Sequence, residues 1–174
     1  MNRGAKLIIL GLVLFSCAML VTLRQSDNNP NTKDTYEVTK VVDGDTLEIL
    51  KYGKTEKVRL IGVDTPETLD PRKPVQCFGK EASDKTKGLL TGKSVRLEFD
   101  SIVGEKDKYG RLLAYVWNEN ELVNLKLLKE GYANEYTYRG QKYKYQADFK
   151  NAETLARSQS IGLWSPQTCN GYTK

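Results

Sequence analysis

The chain of 174 residues is 39% hydrophobic and 28% charged, a composition that suits one globular domain with an extra segment at one end. A formal net charge of +5 and a pI of about 9.0 favour an acidic partner such as nucleic acid or an anionic membrane. The absence of histidine excludes Ser-His-Asp and Cys-His nucleophile systems and histidine-bearing zinc sites. Acid–base chemistry must therefore come from Asp, Glu, Lys, Tyr or water.

The N-terminal segment predicts export. Arg3 and Lys6 precede an apolar run, Leu7–Leu23, and a polar stretch follows it. Residues 1–24 are expected to be a signal peptide or a retained N-terminal membrane anchor, because the run is close to the length that spans a bilayer. Lipidation at Cys17 is a third alternative, since Leu14–Cys17 resembles a bacterial lipoprotein box. Residues 25–35 are expected to be a linker.

The chain has three cysteines and no CxxC motif, which argues against a cysteine metal site or a thioredoxin-like redox site. Cys17 lies in the leader, so Cys77 and Cys169 are the pair left for a possible disulfide in an exported protein. The alternative is two free thiols in a reducing cytosol.

From Tyr36 onwards, the chain is expected to form one domain, residues 36–165, with residues 166–174 as a C-terminal tail. Apolar alternation and turn residues predict five strands: Tyr36–Val42, Thr46–Leu50, Glu56–Val63, Ser94–Asp100 and Arg111–Trp117. Helical periodicity predicts three helices: Gly79–Leu90, Leu122–Glu130 and Gln146–Ser158. This order favours an α+β fold with a small closed sheet and helices packed outside, although spacing alone does not establish a barrel.

Charged residues cluster at the ends of predicted strands. Asp43-Gly44-Asp45 places carboxylates at a tight turn, and Asp107–Arg111 places an arginine at the start of a strand. The stretch Val58–Glu67 carries Arg59 and then two acids across a Thr-Pro step. Buried charges are costly unless they are paired or bind an ion, so the combination favours a functional site. For each stretch alone, the alternative is a polar turn with a surface ion pair.

Together, these motifs resemble those of the staphylococcal nuclease family. The matching stretches are Val42–Thr46, Arg59–Leu60, Val63–Thr68, Gly79, Glu81–Ser83, Asp107–Leu112 and Leu163–Ser165. The resemblance covers about Tyr36 to Ser165 and implies an OB-fold five-stranded β-barrel with three packed helices. It also implies a Ca²⁺-dependent phosphodiesterase that acts on DNA and RNA and leaves 3′-phosphorylated products.

The resemblance implies a calcium site. Asp45 and Asp64 are expected to bind Ca²⁺ through their carboxylates, with the Thr65 carbonyl beside them. Hard oxygen ligands of this kind suit Ca²⁺, and the cation lets several acids share a small space. Asp43 is expected to be a structural acid of the turn rather than a principal ligand.

The resemblance also implies a catalytic centre. Glu67 is expected near the water that attacks phosphorus, because a carboxylate can orient or deprotonate water where histidine is absent. Arg59 and Arg111 are expected to bind the scissile phosphate. Their guanidinium forks match phosphate oxygens and stabilise the charge that grows there in the transition state.

Substrate contacts are expected outside this centre. The resemblance places Lys108 and Tyr109 where a terminal phosphate of the substrate binds, and it makes Tyr136 and Tyr138 base-stacking residues. Exposed tyrosines favour single-stranded nucleic acid, because unpaired bases can stack on them. Tyr132 is expected to belong to the core instead.

The sequence therefore predicts a secreted or membrane-anchored bacterial nuclease. It is expected to act as a monomer and to touch a membrane only through its N-terminal segment. One alternative is a non-catalytic OB-fold module that binds nucleic acid at the cell surface. Another is a protein that binds polyanions or the cell wall, which would explain the charge and the leader but not the arginines beside three acids.

Overall fold

The computed structural model of the protein describes residues 34–68 and 74–173. The predicted signal peptide or anchor at residues 1–24 lies outside the described residues, as does nearly all of the predicted linker. Within the described ranges, no helix is long and apolar enough to cross a bilayer.

A closed β-barrel of five strands forms the centre of the fold. The strands among the described residues are β1 (Thr35–Val41), β2 (Thr46–Lys51), β3 (Lys54–Leu60), β4 (Val63–Asp64), β5 (Ser94–Glu98), β6 (Leu112–Asn118), β7 (Glu121–Leu122) and β8 (Asn134–Glu135). The main sheet runs β3-β2-β1-β5-β6-β7. Its neighbours are antiparallel, and a parallel pairing of β3 with β6 closes the barrel. The predicted α+β barrel of the OB type is confirmed.

Among the described residues, three helices accompany the barrel: α1 (Gly79–Leu90), α2 (Val123–Lys129) and α3 (Gln146–Ser158). The bounds of α1 and α3 match the prediction. α2 begins one residue later than predicted, because Leu122 pairs with β6 as part of β7, and it ends one residue earlier, at Lys129. Short 3₁₀ turns occupy Tyr138–Gly140 and Gly162–Trp164. Tyr132 is half-buried and packs against the core, in agreement with its predicted place.

The third predicted strand, Glu56–Val63, is wrong as one continuous element. β3 ends at Leu60, the chain turns at Ile61 and Gly62, and β4 pairs with β8 in a separate sheet. Gly62 has φ +73°, and a Cβ there would lie within 2.8 Å of the Phe149 and Tyr143 rings. The apolar run hides this turn, because only glycine allows both that conformation and the close contact.

A buried asparagine, Asn124 of α2, fastens this turn to the barrel. Its Oδ1 accepts a hydrogen bond from the Val116 amide at 2.9 Å, and its Nδ2 donates to the Ile61 carbonyl at 2.9 Å. Asn124 is fully buried, so no water can replace these contacts. The side chain thereby fixes the point at which the chain leaves β3.

Replacing Asn124 by alanine is expected to lower the free energy of unfolding by about 2–4 kcal/mol, because two buried backbone groups lose their partners. Urea denaturation followed by circular dichroism measures the change. Asn151→Ala, at an exposed position of α3, is the matched control and should stay within about 0.5 kcal/mol of the parent protein. Equal stabilities for the two variants would contradict the role assigned to Asn124.

A disulfide joins Cys77, just before α1, to Cys169 in the C-terminal tail, with an S–S distance of 2.07 Å. Cys169 is buried, and the Cys77 amide donates to the Thr173 carbonyl at 3.2 Å. The bridge joins residues 92 positions apart and ties the C-terminal tail to the chain just before α1.

Candidate functional site

Two clefts adjoin each other at the end of β3 and share the side chains of Arg59, Asp64 and Arg111. The acidic cleft, of about 360 Å³, is lined by these three and by Asp43, Asp45, Thr46, Thr65, Pro66, Glu67 and Gln76. The tyrosine cleft, of about 590 Å³, also contains Lys108, Tyr109, Tyr136 and Tyr138. Every site residue predicted from the sequence, the cysteine pair aside, lines one cleft or the other.

The guanidinium of Arg59 lies between two carboxylates. Its Nη2 is 3.1 Å from Asp45 Oδ2 and 2.9 Å from Asp64 Oδ1. Its Nη1 donates to the Val63 carbonyl at 2.7 Å, and only 14% of the side chain is exposed. The pair with Asp45 is largely removed from water, whereas the Asp64 side chain is 54% exposed, so solvent screens the pair with Asp64 more strongly.

Asp45 is held in place by its neighbours on the turn and on the chain after β4. Oδ2 accepts hydrogen bonds from the Thr65 amide at 2.9 Å and from the Thr65 hydroxyl at 3.1 Å. Oδ1 accepts one from the Thr46 hydroxyl at 3.1 Å. The Asp43 carboxylate accepts from the Asp45 amide, the turn role expected for it. Asp45 is buried, and this set of donors keeps its carboxylate at a fixed position.

The acidic cleft is lined by four carboxylate residues but by only two arginines. Burial raises the pKa of Asp43 to about 6, with the charge of Asp45 adding to the rise. Partial loss of water also raises the pKa of Asp64, and the Asp45 and Glu67 carboxylates add to this effect, while Arg59 opposes it. A bound cation would stabilise the charged forms of Asp43 and Asp64 and so lower the pKa values of both carboxyl groups.

Glu67 is half-buried at the mouth of the acidic cleft. Its carboxylate accepts a hydrogen bond from the Thr68 amide at 2.8 Å. The main-chain donor and acceptor of Glu67 both form hydrogen bonds with Gln76. The Glu67 amide donates to Gln76 Oε1 at 2.7 Å, and the Gln76 amide donates to the Glu67 carbonyl at 3.0 Å. Sequence reasoning missed Gln76, because no spacing rule reveals a contact across a loop.

Arg111 lies just before β6 and is oriented by Asp107. The Arg111 Nε donates to Asp107 Oδ2 at 2.7 Å, and the amides of Arg111 and Tyr109 both donate to Asp107 Oδ1. Burial alone would raise the pKa of Asp107, but these hydrogen bonds hold it below its ordinary value. Asp107 was not predicted as a site residue, although its place four residues before an arginine was a usable signal.

The tyrosine cleft presents open aromatic rings. Tyr109 is 72% exposed, Tyr136 44% and Tyr138 49%, and the last two rings lie 6.5 Å apart. The Lys108 ammonium is 4.9 Å from the centre of the Tyr109 ring, and the Arg111 guanidinium is 5.5 Å from it. Cations and exposed rings side by side suit a ligand that combines phosphates with bases.

In the part of the chain that the structure describes, no group of three or more acidic or cysteine side chains converges closely enough to hold a metal ion by itself. The site implied by the resemblance needs only two carboxylates, with a main-chain carbonyl and waters completing the shell. Asp45 and Asp64 approach the same nitrogen of Arg59, so the two carboxylates already face one positive charge. The donor chemistry therefore fits a hard divalent cation.

Comparisons with known proteins agree with this geometry. The model of the family described as staphylococcal nuclease homologue matches residues 57–166. The thermonuclease of Staphylococcus hyicus is 51% identical over 133 residues, which cover 76% of this chain and 77% of the relative. The thermonuclease of Staphylococcus intermedius is 44% identical over 168 residues, covering 91% and 98%. Endonuclease YncB of Bacillus subtilis is 40% identical over 141 residues, covering 79% and 66%.

The family match and the relatives named thermonuclease and endonuclease identify an enzyme of the nuclease class, a hydrolase, and that part of the prediction is confirmed. The chain belongs to the staphylococcal nuclease family.

Gly44 offers a test of how the acidic turn is held. A Cβ at this position would lie 2.7 Å from the Thr65 side chain, so Gly44→Ala is expected to push Thr65 away from Asp45. We expect a loss of about 1–3 kcal/mol in the free energy of unfolding, measured in urea. Gly88→Ala in α1 has open space around it and should instead stabilise the protein by about 0.5–1 kcal/mol. A stable Gly44→Ala variant would refute the packing described for the turn.

Proposed function

We propose that this chain is a Ca²⁺-dependent nuclease that hydrolyses phosphodiester bonds of DNA and RNA and leaves 3′-phosphorylated nucleotides and oligonucleotides. The observation that carries the proposal is the position of Arg59 and Arg111 on the wall shared by the acidic and tyrosine clefts. A nucleic acid strand can thus place a phosphate at the arginines and its bases among the tyrosines. The relatives' names, thermonuclease and endonuclease, support the same class of reaction.

The arginines bind and polarise the scissile phosphate. Arg111 uses its Nε for Asp107, so its terminal nitrogens can donate as a fork to two phosphate oxygens. Arg59 adds a second positive charge from β3. Negative charge accumulates on the phosphate oxygens in the transition state, and guanidinium groups already fixed in place stabilise that charge without reorganising.

Glu67 supplies the carboxylate that acts on water. It lines the same cleft as both arginines, so a water beside it can face a phosphate held by them. The carboxylate orients the water and accepts its proton as the water oxygen bonds to phosphorus. The bond from phosphorus to the 5′ oxygen of the next nucleotide breaks, and that oxygen leaves as a hydroxyl after taking a proton from solvent, so the phosphate stays on the 3′ side. Since the chain contains no histidine, a carboxylate is the residue type best suited to this step near neutral pH.

Asp45 and Asp64, with the Thr65 carbonyl, are the residues that would hold Ca²⁺. The two carboxylates approach the same guanidinium nitrogen of Arg59, Asp45 from the turn before β2 and Asp64 from β4. Burial, with a smaller contribution from neighbouring carboxylates, raises the pKa values of Asp43 and Asp64, and a bound cation would favour their charged forms. When bound, Ca²⁺ supplies further positive charge to a phosphate that carries developing negative charge.

The tyrosine cleft selects for accessible bases. Tyr136 and Tyr138 offer neighbouring rings, and Lys108 with Tyr109 forms a place for a second phosphate along the strand. Stacking needs bases that are unpaired, so the proposed preference is for single-stranded or frayed nucleic acid.

We further propose a catalytic domain of residues 36–165 that works as a monomer outside the cytoplasm, preceded by an export signal or membrane anchor at residues 1–24. The disulfide between Cys77 and Cys169 supports an oxidising compartment. The competing function is a binding module without catalysis. The presence of Glu67 together with both arginines in one cleft favours the enzyme.

The decisive assay follows acid-soluble nucleotide release from heat-denatured DNA with Ca²⁺, with Mg²⁺ and with a chelator. We expect release with Ca²⁺ that the chelator abolishes. Glu67→Gln and Arg59→Ala should each lower kcat by about 10²–10⁴-fold, because one removes the carboxylate that acts on water and the other a charge that stabilises the transition state.

Two exposed residues outside both clefts provide matched controls for this assay. Glu37→Gln on β1 and Arg157→Ala on α3 should leave the rate unchanged. Binding of DNA without release under any metal condition would instead favour the binding module.

Tyr136→Ala and Tyr138→Ala are each expected to raise KM for denatured DNA by about 5- to 100-fold, because one base loses its stacking partner. Tyr172, in the C-terminal tail, is 77% exposed and is the matched control, so Tyr172→Ala should leave KM unchanged. Steady-state kinetics on single-stranded and duplex substrates measures the effect. An equal loss for all three variants would argue against a stacking platform in the cleft.

A further inference from the structure

Gln76 is an uncharged residue of the acidic cleft that contacts the main chain of Glu67. It lies on the wall of the acidic cleft, nine residues after Glu67 in the sequence. Its side-chain oxygen accepts from the Glu67 amide at 2.7 Å, and its own amide donates to the Glu67 carbonyl at 3.0 Å. The amide and the carbonyl of Glu67 are thus both hydrogen-bonded to Gln76.

The residues around Gln76 are also held in place. The Gln76 carbonyl accepts a hydrogen bond from the Gly79 amide at 3.0 Å. Gly79 packs so closely against Pro66 and Glu67 that a Cβ on it would lie 3.1–3.2 Å from their carbonyl oxygens. Cys77, which follows Gln76 in the sequence, forms the disulfide with Cys169. Gln76 is therefore fixed between the start of α1 and a disulfide that anchors the C-terminal tail.

We propose that Gln76 is a positioning residue for Glu67, and that the Cys77–Cys169 disulfide keeps Gln76 in register with it. The proposal rests on the function proposed above for Glu67. The two hydrogen bonds to Gln76 fix the position and orientation of the Glu67 main chain relative to Arg59 and Asp64. A displacement of about 1 Å at a reacting group can cost about 10²-fold in rate, so such a constraint matters for turnover more than for substrate binding.

The chemistry of the amide also suits this place. Its oxygen accepts the hydrogen bond without adding charge to a cleft that already contains several carboxylates. Gln76→Met keeps the length of the side chain and removes the acceptor. We expect this variant to lower kcat by about 10- to 100-fold with little change in KM, because the arginine and tyrosine contacts to substrate remain. Gln159→Met, at an exposed position after α3, is the control and should change neither constant.

A double-mutant cycle separates positioning from a general structural effect. Gln76→Met is combined with Glu67→Gln, and kcat is measured for all four proteins with Ca²⁺ and denatured DNA. If Gln76 acts through Glu67, Gln76→Met should cause no further loss once the carboxylate is gone. The same loss in both backgrounds, or a rise in KM alone, would overturn the proposal. If Glu67→Gln leaves kcat unchanged while Gln76→Met lowers it, both the positioning role and the proposed function of Glu67 are wrong.

A second measurement is independent of activity. Hydrogen exchange at the Glu67 amide, which donates to Gln76 Oε1, should become faster in Gln76→Met. The variant Cys77→Ser/Cys169→Ser should show the same faster exchange and a lower kcat in the parent background, but no added loss of kcat beside Glu67→Gln. Unchanged exchange at this amide in both variants, with the fold intact by circular dichroism, would contradict the coupling between the disulfide and Glu67.

Discussion

The contact of one guanidinium with two carboxylates determines how the candidate site is arranged. Arg59 faces Asp45 and Asp64 within 3.1 Å while most of its side chain is withdrawn from water. Burying Arg59 or Asp45 without the other would be costly, and the more exposed Asp64 adds a second negative charge beside the same guanidinium. The three residues come from β3, from the turn before β2 and from β4, and the site therefore forms only when these elements have their native positions.

The barrel supplies those positions through strand register. Thr46 of β2 lies opposite Arg59 of β3, which brings the acidic turn beside the arginine. The parallel pairing of β3 with β6 sets Arg59 opposite Leu113 and so brings Arg111 to the same mouth. The turn at Gly62 then directs Asp64 back towards Arg59. A nucleic acid bound at this mouth would meet acids, arginines and tyrosines from five separate stretches of chain, which is why small changes of register would abolish the proposed chemistry.

Much of this could be predicted from the sequence, because strands and helices follow local patterns and the residues of the candidate site lie in short contiguous motifs that resemble those of the family. The bounds of α1 and α3 were correct, and the predicted residues other than the cysteines do line the two clefts. What could not be predicted depends on contacts between distant residues. The break at Gly62 lies inside an apolar run that reads as one strand, and it is required by two rings of the α3 region. The contact between Gln76 and Glu67 joins residues nine positions apart, and no spacing pattern in the sequence indicates it.

Calorimetric titration of Ca²⁺ into the metal-free protein tests the central claim most directly, because it does not depend on substrate. The account predicts one Ca²⁺ per chain, with most of the affinity lost in Asp45→Asn and retained in Asp148→Asn, a change at an exposed position of α3. Absence of binding, or equal affinity in the parent and Asp45→Asn, would contradict a calcium site between the two carboxylates that face Arg59.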